Sequence, residues 1–436
     1  MGNHAVVCFP VHVELTLLDL SASCMDDDDD DDATTTVATG ANKKTAKEKQ
    51  DVAVVVARLM DKVFHDHVQC CDAAHQISHQ GEVGASSSCS LEEDNVKYAL
   101  RRDVERFVRP LDQLLALGSI LLKNQAYWQT VINYNHGTAS NQHDDDKAAV
   151  LVRLPRTIHK KPYIPNKSKN NNQNDDDDKD DGSLSVSHQF PFVGAALRLS
   201  TNRSTNPEND DTPSSPPLPL VGCDIVVQEP LNTRLYRTWH DFVQVFEESF
   251  DAVEWQDIVM PCKDNNNNDD TSSSEEQSLL HEFLLRWAVK EAYTKALGVG
   301  LGFDFASFRV QFKDLSLPSG DGKNANTTGP SCQRLSDYLA ATVQIQQASN
   351  ADNHNKGMAY LRGQVILSNA TAATTTTSLT EEWDFFFVRL ALDPWSWACV
   401  AVGPVDGTRH PQLQVRWTTL EHLVPPLYKT ATHVGA

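Results

Sequence analysis

The chain has 436 residues, 22% of them charged and 40% hydrophobic, and its formal net charge at pH 7 is −21. A chain of this length can bury a substantial core and suggests two or three domains. Its sequence contains no apolar run of the roughly 18 residues that a membrane-spanning helix needs. We therefore expect no membrane span, and we also expect no nucleic-acid partner.

Much of the negative charge is concentrated in short aspartate runs. Sixteen aspartates lie in the runs Asp26–Asp32, Asp144–Asp146, Asp175–Asp178 and Asp180–Asp181. Setting these sixteen charges aside changes the formal charge from −21 to −5. The rest of the chain is only mildly acidic, so a phosphate-rich ligand that is bound by local Arg and Lys residues is not excluded.

The number of cysteines and their distribution along the chain indicate the redox state of the cellular compartment. Nine cysteines, an odd number, are scattered along the chain. Such usage is typical of reduced thiols in a cytosolic protein rather than of a disulfide framework. We expect a cytoplasmic protein that acts as a monomer.

The hydrophobic patterns predict a mixture of strands and helices. Strands are expected over 6–20, 149–154, 184–199 (two strands and a turn), 220–227, 341–346, 360–368, 385–392 and 397–402. Helices are expected over 52–69, 96–108, 112–123, 240–250 and 278–297. This order indicates an α+β fold rather than a doubly wound α/β sheet.

Polar segments interrupt these elements. The segments 22–50, 136–147, 166–183, 200–217 and 263–278 are rich in Asp, Asn, Ser, Thr and Pro. They contain few large apolar residues, so they cannot bury enough apolar surface to offset the entropy of folding. We predict that they are disordered insertions and linkers.

The most informative segment is the helix predicted over 278–297, because its buried face changes from apolar to charged. Apolar residues recur at helical spacing as far as Trp287, and the same face continues into Glu291 and Lys295. The alternative is an exposed ion pair between Glu291 and Lys295, which would contribute only about 0.2–0.5 kcal/mol. This alternative would be favoured if Glu291 lay on the face of the helix opposite Trp287. Glu291 lies on the same side as Trp287. The pattern therefore predicts a buried carboxylate and ammonium.

A second anomaly is an aspartate in the middle of a predicted buried strand, Leu220-Val-Gly-Cys-Asp224-Ile-Val-Val227. An unpaired buried carboxylate is strongly destabilising, so Asp224 should either face solvent at a strand end or bind a cation. A third segment, Leu184-Ser-Val-Ser-His188, places a Ser-His pair close to a predicted turn.

In this order the three segments resemble the motifs of the Sfp-type 4′-phosphopantetheinyl transferases, and particularly their mammalian aminoadipate-semialdehyde dehydrogenase phosphopantetheinyl transferase branch. The motifs occur as Ser185-Val-Ser-His188, Val221-Gly-Cys-Asp224 and Trp287-x-x-Lys290-Glu291-x-x-x-Lys295. Weaker similarities lie around Arg102 and in the basic segment Arg156-Thr-Ile-His159-Lys160-Lys161-Pro162. With insertions allowed for, the resemblance covers most of residues 95–402.

The resemblance implies a fold of two similar α/β halves related by a pseudo-twofold axis, with coenzyme A bound between them. The N-terminal half would cover 1–199, with disordered insertions at 22–50 and 166–183. A linker would cover 200–217. The C-terminal half would cover 218–423, with the metal site and the insertion at 263–278.

The implied activity is transfer of the phosphopantetheine arm of coenzyme A to a serine of an apo carrier protein, with release of 3′,5′-ADP. Asp224 and Glu291 would bind Mg²⁺, which suits one or two carboxylates together with phosphate oxygens. Lys295 would neutralise the pyrophosphate, and Glu291 would also deprotonate the incoming serine. The carrier is left open among fatty-acid synthase, polyketide synthase, peptide synthetase and aminoadipate reductase, so fatty acid biosynthesis and lysine biosynthesis are both candidate roles.

The resemblance also implies which residues contact coenzyme A, with His188 at the 3′-phosphate. These residues are Arg102, Arg156, His159, Lys160, Lys161, Ser185, Val186, Ser187, His188 and Lys295. Two positions depart from the family pattern. Ser185 stands where the family usually has Asn, and Val226 stands where bacterial members have a third metal-binding Glu. The second departure implies a two-carboxylate site in which water fills the third position.

Two other motifs have competing interpretations. The glycines of Gly298-Val-Gly-Leu-Gly302 follow a helix instead of joining a strand to a helix, so a glycine-rich helix C-terminus is favoured over a dinucleotide site. The segment 65–79 has soft-metal spacing and leaves a zinc site open. Its potential ligands are His65, His67, Cys70, Cys71, His75 and His79.

Three other functions compete with the transferase. A hydrolase dyad at Ser187 and His188 is disfavoured because adjacent strand residues point to opposite faces, and no nucleophile elbow is present. A catalytically inactive carrier-protein or nucleotide-binding module of the same fold is the main alternative. An acidic scaffold that acts through the aspartate runs is the other.

Overall fold

A computed structural model describes the chain over twelve segments and the single residue 315. The segments are 12–21, 41–64, 89–136, 151–165, 182–198, 219–259, 272–312, 334–348, 357–367, 380–390, 395–405 and 411–423. Within them the fold is mixed α and β, with helices and two sheets, which confirms the predicted α+β class.

Eight α-helices lie in the described residues. They are α1 (Ala41–Phe64), α2 (Cys89–Glu105), α3 (Pro110–His136), α4 (Trp239–Gln244), α5 (Ala252–Val259), α6 (Ser272–Leu297), α7 (Leu335–Ala348) and α8 (Leu420–Leu423). None of them is both long and apolar enough to cross a membrane.

Ten strands form two five-stranded sheets in the described residues. They are β1 (His12–Asp19), β2 (Tyr163–Ile164), β3 (Gly182–Gln189), β4 (Phe192–Arg198), β5 (Leu220–Val226), β6 (Phe308–Phe312), β7 (Met358–Leu367), β8 (Thr380–Arg389), β9 (Trp397–Gly403) and β10 (Gln412–Thr418). The first sheet has the order β10-β1-β4-β3-β2, and the second has the order β5-β9-β8-β7-β6. Every neighbouring pair in the second sheet is antiparallel.

The second sheet and helix α6 share the core that positions the candidate site. The face of the sheet toward α6 buries large side chains, including Trp383, Phe385 and Trp397. Helix α6 contributes small residues such as Ala288 and Ala292 to the same core. Small side chains on a helix let it lie close to a sheet, so polar groups on β5 and α6 can reach one another.

The chain divides into two compact units. One comprises Met1–Leu15, Arg156–Ser187 and Ala196–Gln414, and the other comprises Thr16–Pro155, His188–Ala195 and Val415–Ala436. These units differ from the predicted halves 1–199 and 218–423, because the residues of β3 up to Ser187 group with β5. The predicted linker 200–217 lies outside the described residues.

Most predicted elements around the motifs are confirmed, but two strands were wrong. Residues 341–346 belong to α7, where Leu335, Leu339 and Val343 are buried at a spacing of four residues. This helical period outweighs the local alternation that favoured a strand. Residues 151–154 form no strand, and the Val152 amide donates to the side chain of Asn124 at 2.6 Å instead of to a neighbouring strand.

Three of the segments predicted to be disordered contain residues that belong to helices or strands. Helix α1 begins at Ala41, inside 22–50, and α6 begins at Ser272, inside 263–278. Both of these starts contain Glu, Gln or Lys, which favour helices despite their polarity. Strand β3 begins at Gly182, inside 166–183, because it pairs with Ile164 of β2. Strands β2, β6 and β10 and helices α5 and α8 were not predicted.

Candidate active site

The three charged residues predicted from the motifs come together on β5 and α6. Lys295 of α6 lies 2.6 Å from Oδ1 of Asp224 on β5, a contact between residues 71 positions apart in the chain. Asp224 is only 6% exposed, and the Lys295 side chain is 28% exposed. Burial favours the neutral amine, but the Asp224 and Glu291 carboxylates outweigh it and raise the pKa of Lys295. Lys295 is therefore a cation at neutral pH.

Glu291 lies one helical turn before Lys295 and is buried, as the apolar-to-charged stripe predicts. Burial raises the pKa of Glu291, Lys295 opposes the shift, and the Asp224 carboxylate adds to it. Within the described residues its carboxylate takes part in no hydrogen bond and no ion pair within 4.0 Å. A buried carboxylate beside another carboxylate is poised to bind a proton or a cation.

The donor set at this position fits a hard divalent cation. Asp224 and Glu291 offer carboxylate oxygens, and the contacts of Asp224 within the described residues reach Oδ1 and leave Oδ2 without a hydrogen bond. The described residues contain no group of three or more His, Cys, Asp or Glu side chains that could bind a metal. Two carboxylates alone match Mg²⁺, which completes its shell with water and substrate phosphate oxygens. Val226, two residues after Asp224 on β5, is packed in the apolar core and offers no third carboxylate.

Strand β3 brings three alternating serines to the edge of β5. The hydroxyl oxygens of Ser183, Ser185 and Ser187 accept hydrogen bonds from the amides of Val221, Cys223 and Ile225, at 3.2, 3.0 and 3.2 Å. Ser187 also donates to Oδ1 of Asp224 at 2.9 Å and accepts from Lys295 at 3.0 Å. The resemblance implies that Ser185 and Ser187 contact coenzyme A, and the sequence motifs did not predict their contacts with β5. The signal for these contacts is the alternation of serines in a buried strand.

Lys161 has oxygen partners from three parts of the chain. Its ammonium donates to the Ser183 hydroxyl, the Val221 carbonyl and the Ala296 carbonyl at the end of α6, at 3.3, 2.9 and 2.6 Å. Its aliphatic stem lies against Gly298. Burial, with the nearby charge of Arg198, lowers the pKa of Lys161 to about 7. In its protonated form Lys161 has three protons to donate, one for each of these three partners.

Lys161 is thereby the anchor of an exposed basic turn. The Thr157 amide donates to the Lys161 carbonyl, and Lys160 has a positive φ of 65°. Arg156, His159 and Lys160 are all exposed on this turn. These three side chains are accessible to an anionic ligand, whereas Lys161 is committed to protein oxygens.

The other predicted coenzyme A residues lie in different places. Val186 is half-buried between two buried serines of β3. His188 is exposed, on the opposite face from the buried Ser187, as the alternation of a strand requires. Arg102 is exposed on α2. Arg102 and His188 belong to the compact unit that does not contain Asp224.

The partner of Lys290 was not predicted from the sequence. This lysine is completely buried, and its ammonium lies 2.7 Å from the Glu254 carboxylate of α5. It also donates to the backbone carbonyls of Phe305 and Phe308, at 2.7 and 2.6 Å. Glu254 accepts from the Val310 amide of β6 at 3.0 Å. Lys290 is therefore a structural residue that fixes α6 next to the position of Glu291.

The glycine-rich segment is the C-terminus of α6, as predicted. Gly298 has a φ of 80°, and its amide donates to the Lys295 carbonyl, while the Val299 amide donates to the Thr294 carbonyl. This pair of bonds is the Schellman arrangement, in which glycine adopts the left-handed conformation at little cost. The helix therefore ends just after Lys295, and a dinucleotide loop is excluded. The six potential zinc ligands at 65–79 lie outside the described residues.

A comparison with protein families agrees with this geometry. Residues 220–343 match the family model described as the 4′-phosphopantetheinyl transferase superfamily. The matched segment runs from β5 into α7 and contains Asp224, Glu291 and Lys295. No curated protein matches the chain significantly. The match supports a transferase of the phosphopantetheinyl type and leaves the particular branch open.

Proposed function

We propose that this protein is a 4′-phosphopantetheinyl transferase that uses coenzyme A and Mg²⁺ to modify a serine of an apo acyl or peptidyl carrier protein. One observation supports the proposal above all others. The buried carboxylates Asp224 and Glu291 and the cationic Lys295 converge on β5 and α6, inside the segment that matches the superfamily model.

The reaction assigns a separate task to each of these groups. The carrier serine oxygen attacks the β-phosphorus of coenzyme A, a new P–O bond forms, and the bridging P–O bond to 3′,5′-ADP breaks. Glu291 accepts the serine proton, for which its raised pKa is suited. Lys295 stabilises the negative charge that develops on the pyrophosphate oxygens. When bound by Asp224 and Glu291, Mg²⁺ would supply further neutralisation of the same charge.

Recognition of coenzyme A is assigned to two groups of residues. The exposed basic turn with Arg156, His159 and Lys160 has the charge to bind the nucleotide phosphates. Lys161 holds this turn in place through protein oxygens, so its contribution to coenzyme A binding is indirect. Contacts from Arg102, Val186 and His188 follow from the resemblance alone.

The proposal also includes the arrangement of the fold, the branch of the family, the cellular form and the macromolecular partner. A fold of two similar halves with a pseudo-twofold axis is consistent with two sheets of five strands each. The eukaryotic aminoadipate-semialdehyde branch is proposed from the two-carboxylate site, because Val226 replaces a third carboxylate. A cytoplasmic monomer remains our proposal for the cellular form. The carrier protein is the only macromolecular partner that the proposed reaction requires.

The second candidate is a catalytically inactive module that binds carrier proteins or nucleotides. This candidate does not explain why the chain buries charged side chains, which lowers its stability. Asp224 and Glu291 are buried, and a module without chemistry would gain stability by replacing them with apolar residues. Their presence therefore favours the enzyme.

The test is to incubate the full chain with coenzyme A, Mg²⁺ and a panel of apo carrier proteins, followed by intact-mass spectrometry of each carrier. The proposal predicts a mass increase of one phosphopantetheine on at least one carrier, lost when the carrier serine is replaced by alanine. Glu291→Gln is the matched catalytic control. A panel without any modified carrier, in the presence of coenzyme A binding, would favour the inactive module.

A further inference from the structure

The edge of β5 is covered by side chains instead of by another strand. β5 is the terminal strand of its sheet and pairs with β9 on one side only. On its other side the amides of Val221, Cys223 and Ile225 donate to the hydroxyls of Ser183, Ser185 and Ser187. We call these three contacts the serine ladder. Each rung joins residues 38 positions apart, so β3 and β5 run in the same direction.

The ladder fixes the backbone on both sides of Asp224. Cys223 and Ile225, its immediate neighbours, are the donors of the second and third rungs. The Asp224 side chain itself reaches Lys295 of α6. A shift of β3 by one residue would remove all three rungs, because alternate side chains of a strand point to opposite faces. The register of β3 therefore determines which side chain meets Asp224.

Ser187 differs from the other rungs in its additional contacts. A serine hydroxyl has one proton to donate and two lone pairs to accept with. Ser187 donates to Oδ1 of Asp224 and accepts from Ile225 and from Lys295, so its full capacity is used. Ser187 is 4% exposed and has no donor left for a ligand phosphate.

The contacts of Ser187 act on one oxygen of Asp224. Ser187 and Lys295 both donate to Oδ1, at 2.9 and 2.6 Å, and within the described residues no hydrogen bond reaches Oδ2. Two donors on one carboxylate oxygen fix the rotation of the carboxylate plane. Hydrogen bonds of this kind orient metal ligands in proteins, and their loss typically lowers metal affinity about 10–100-fold.

We propose that Ser187 is a positioning residue that orients the Asp224 carboxylate so that Oδ2 is presented to a divalent cation. This inference rests on the proposed function for the identity of the cation site. It gives the serine of the Ser-His motif a task within the protein, because its hydroxyl orients Asp224 instead of contacting coenzyme A.

The matched control for Ser187→Ala is Ser185→Ala. Ser185 lies on the same strand, is also 4% exposed and forms the same kind of rung with Cys223. In the described residues its hydroxyl has no contact with a carboxylate or an ammonium. Both variants lose one rung, and Ser187→Ala also loses the contacts with Asp224 and Lys295, so we expect it to lower the melting temperature more than Ser185→Ala does. Ser187→Thr keeps the hydroxyl and is the conservative variant.

The decisive measurement is the affinity of the full chain for Mn²⁺, used as a probe for Mg²⁺, with coenzyme A present and no carrier protein. Electron paramagnetic resonance of free Mn²⁺ gives this affinity without turnover. We expect Ser187→Ala to raise the Kd for Mn²⁺ by about tenfold or more, Ser185→Ala to change it less than about twofold, and Ser187→Thr to stay within about threefold of the wild type. Coenzyme A binding without metal, measured by calorimetry, should be unchanged in Ser187→Ala and Ser187→Thr.

Each other outcome would overturn the positioning role. Equal Mn²⁺ affinities for Ser185→Ala and Ser187→Ala would make Ser187 an ordinary rung. A loss of metal-free coenzyme A binding in Ser187→Ala alone would make it a substrate contact. Wild-type protein that binds coenzyme A but no Mn²⁺ would reject the positioning role and leave the transferase to be tested by carrier labelling. Wild-type protein that binds neither and labels no carrier would reject the proposed function as well.

Discussion

Gly222 of β5 lies directly beneath the backbone of Ala292 on α6. A Cβ atom at residue 222 would overlap the Ala292 carbonyl oxygen and would lie 2.5 Å from the amide nitrogen of Ala296. This close approach places the last two turns of α6 against β5. It lets Lys295 reach Asp224 two residues further along the strand.

Gly222→Ala should therefore disrupt the packing of α6 on β5. The backbone atoms of the helix cannot move aside without separating the two elements, so we expect a loss of about 1–3 kcal/mol or more in the free energy of unfolding. Gly302→Ala is the control, because nothing lies within 4 Å of its added methyl group. Urea unfolding of both variants measures the difference. Similar stabilities would contradict the close packing.

Glu291→Gln should preserve the fold while abolishing most turnover. The amide keeps the size of the side chain but can neither accept the serine proton nor bind the cation as a carboxylate. We expect kcat to fall about 10²–10⁴-fold. Glu275→Gln, in the exposed first part of the same helix, should be neutral. Steady-state kinetics with a labelled carrier is the measurement, and wild-type turnover in Glu291→Gln would end the assignment of Glu291.

Lys290→Met should destabilise the protein because it leaves the buried Glu254 without its cation. The loss of one partner from a buried pair costs about 3–5 kcal/mol. The double variant Lys290→Met/Glu254→Gln should recover part of this loss, since a neutral amide in place of the carboxylate no longer needs a cation. A double-mutant cycle of unfolding free energies measures the coupling. Additive losses would show that the 2.7 Å contact contributes no coupling.

Lys161 should make the free energy of unfolding increase with pH in the alkaline range. The pKa of Lys161 in the folded protein is about 7, below its ordinary value of 10.5. Between these values the unfolded chain binds the proton and the folded protein releases it, so raising the pH favours the folded state. The difference in unfolding free energy between the wild type and Lys161→Met should therefore increase from about pH 7 toward pH 10. A difference that is constant with pH would contradict the lowered pKa.

Arg156→Ala and Lys160→Ala should weaken coenzyme A binding more than catalysis. These exposed side chains would contact the nucleotide phosphates equally in the ground and transition states, so KM should rise while kcat changes little. With 3′-dephospho-coenzyme A as donor the penalty should shrink if they serve the 3′-phosphate. Arg153→Ala, an exposed arginine nearby in the chain, is the control. Equal penalties for both donors would place the side chains at the pyrophosphate instead.

The local patterns of the sequence determined the elements that carry the candidate site. The apolar run around Asp224 predicted β5, and the helical period through Trp287 predicted that Glu291 is buried, whereas Lys295 on the same face is only partly buried. Gly298 predicted the end of α6. These features depend on residues a few positions apart, whose side chains are placed by the repeat of a strand or a helix.

The tertiary structure alone decided which distant groups meet. No local pattern indicates that Glu254 neutralises Lys290, that Lys161 caps α6, or that Ser187 donates to Asp224. These contacts join segments whose separation in the chain does not fix their separation in space. They depend on strand register, on burial and on the close approach at Gly222, because a buried charge is stable only beside the partners that the complete fold brings to it.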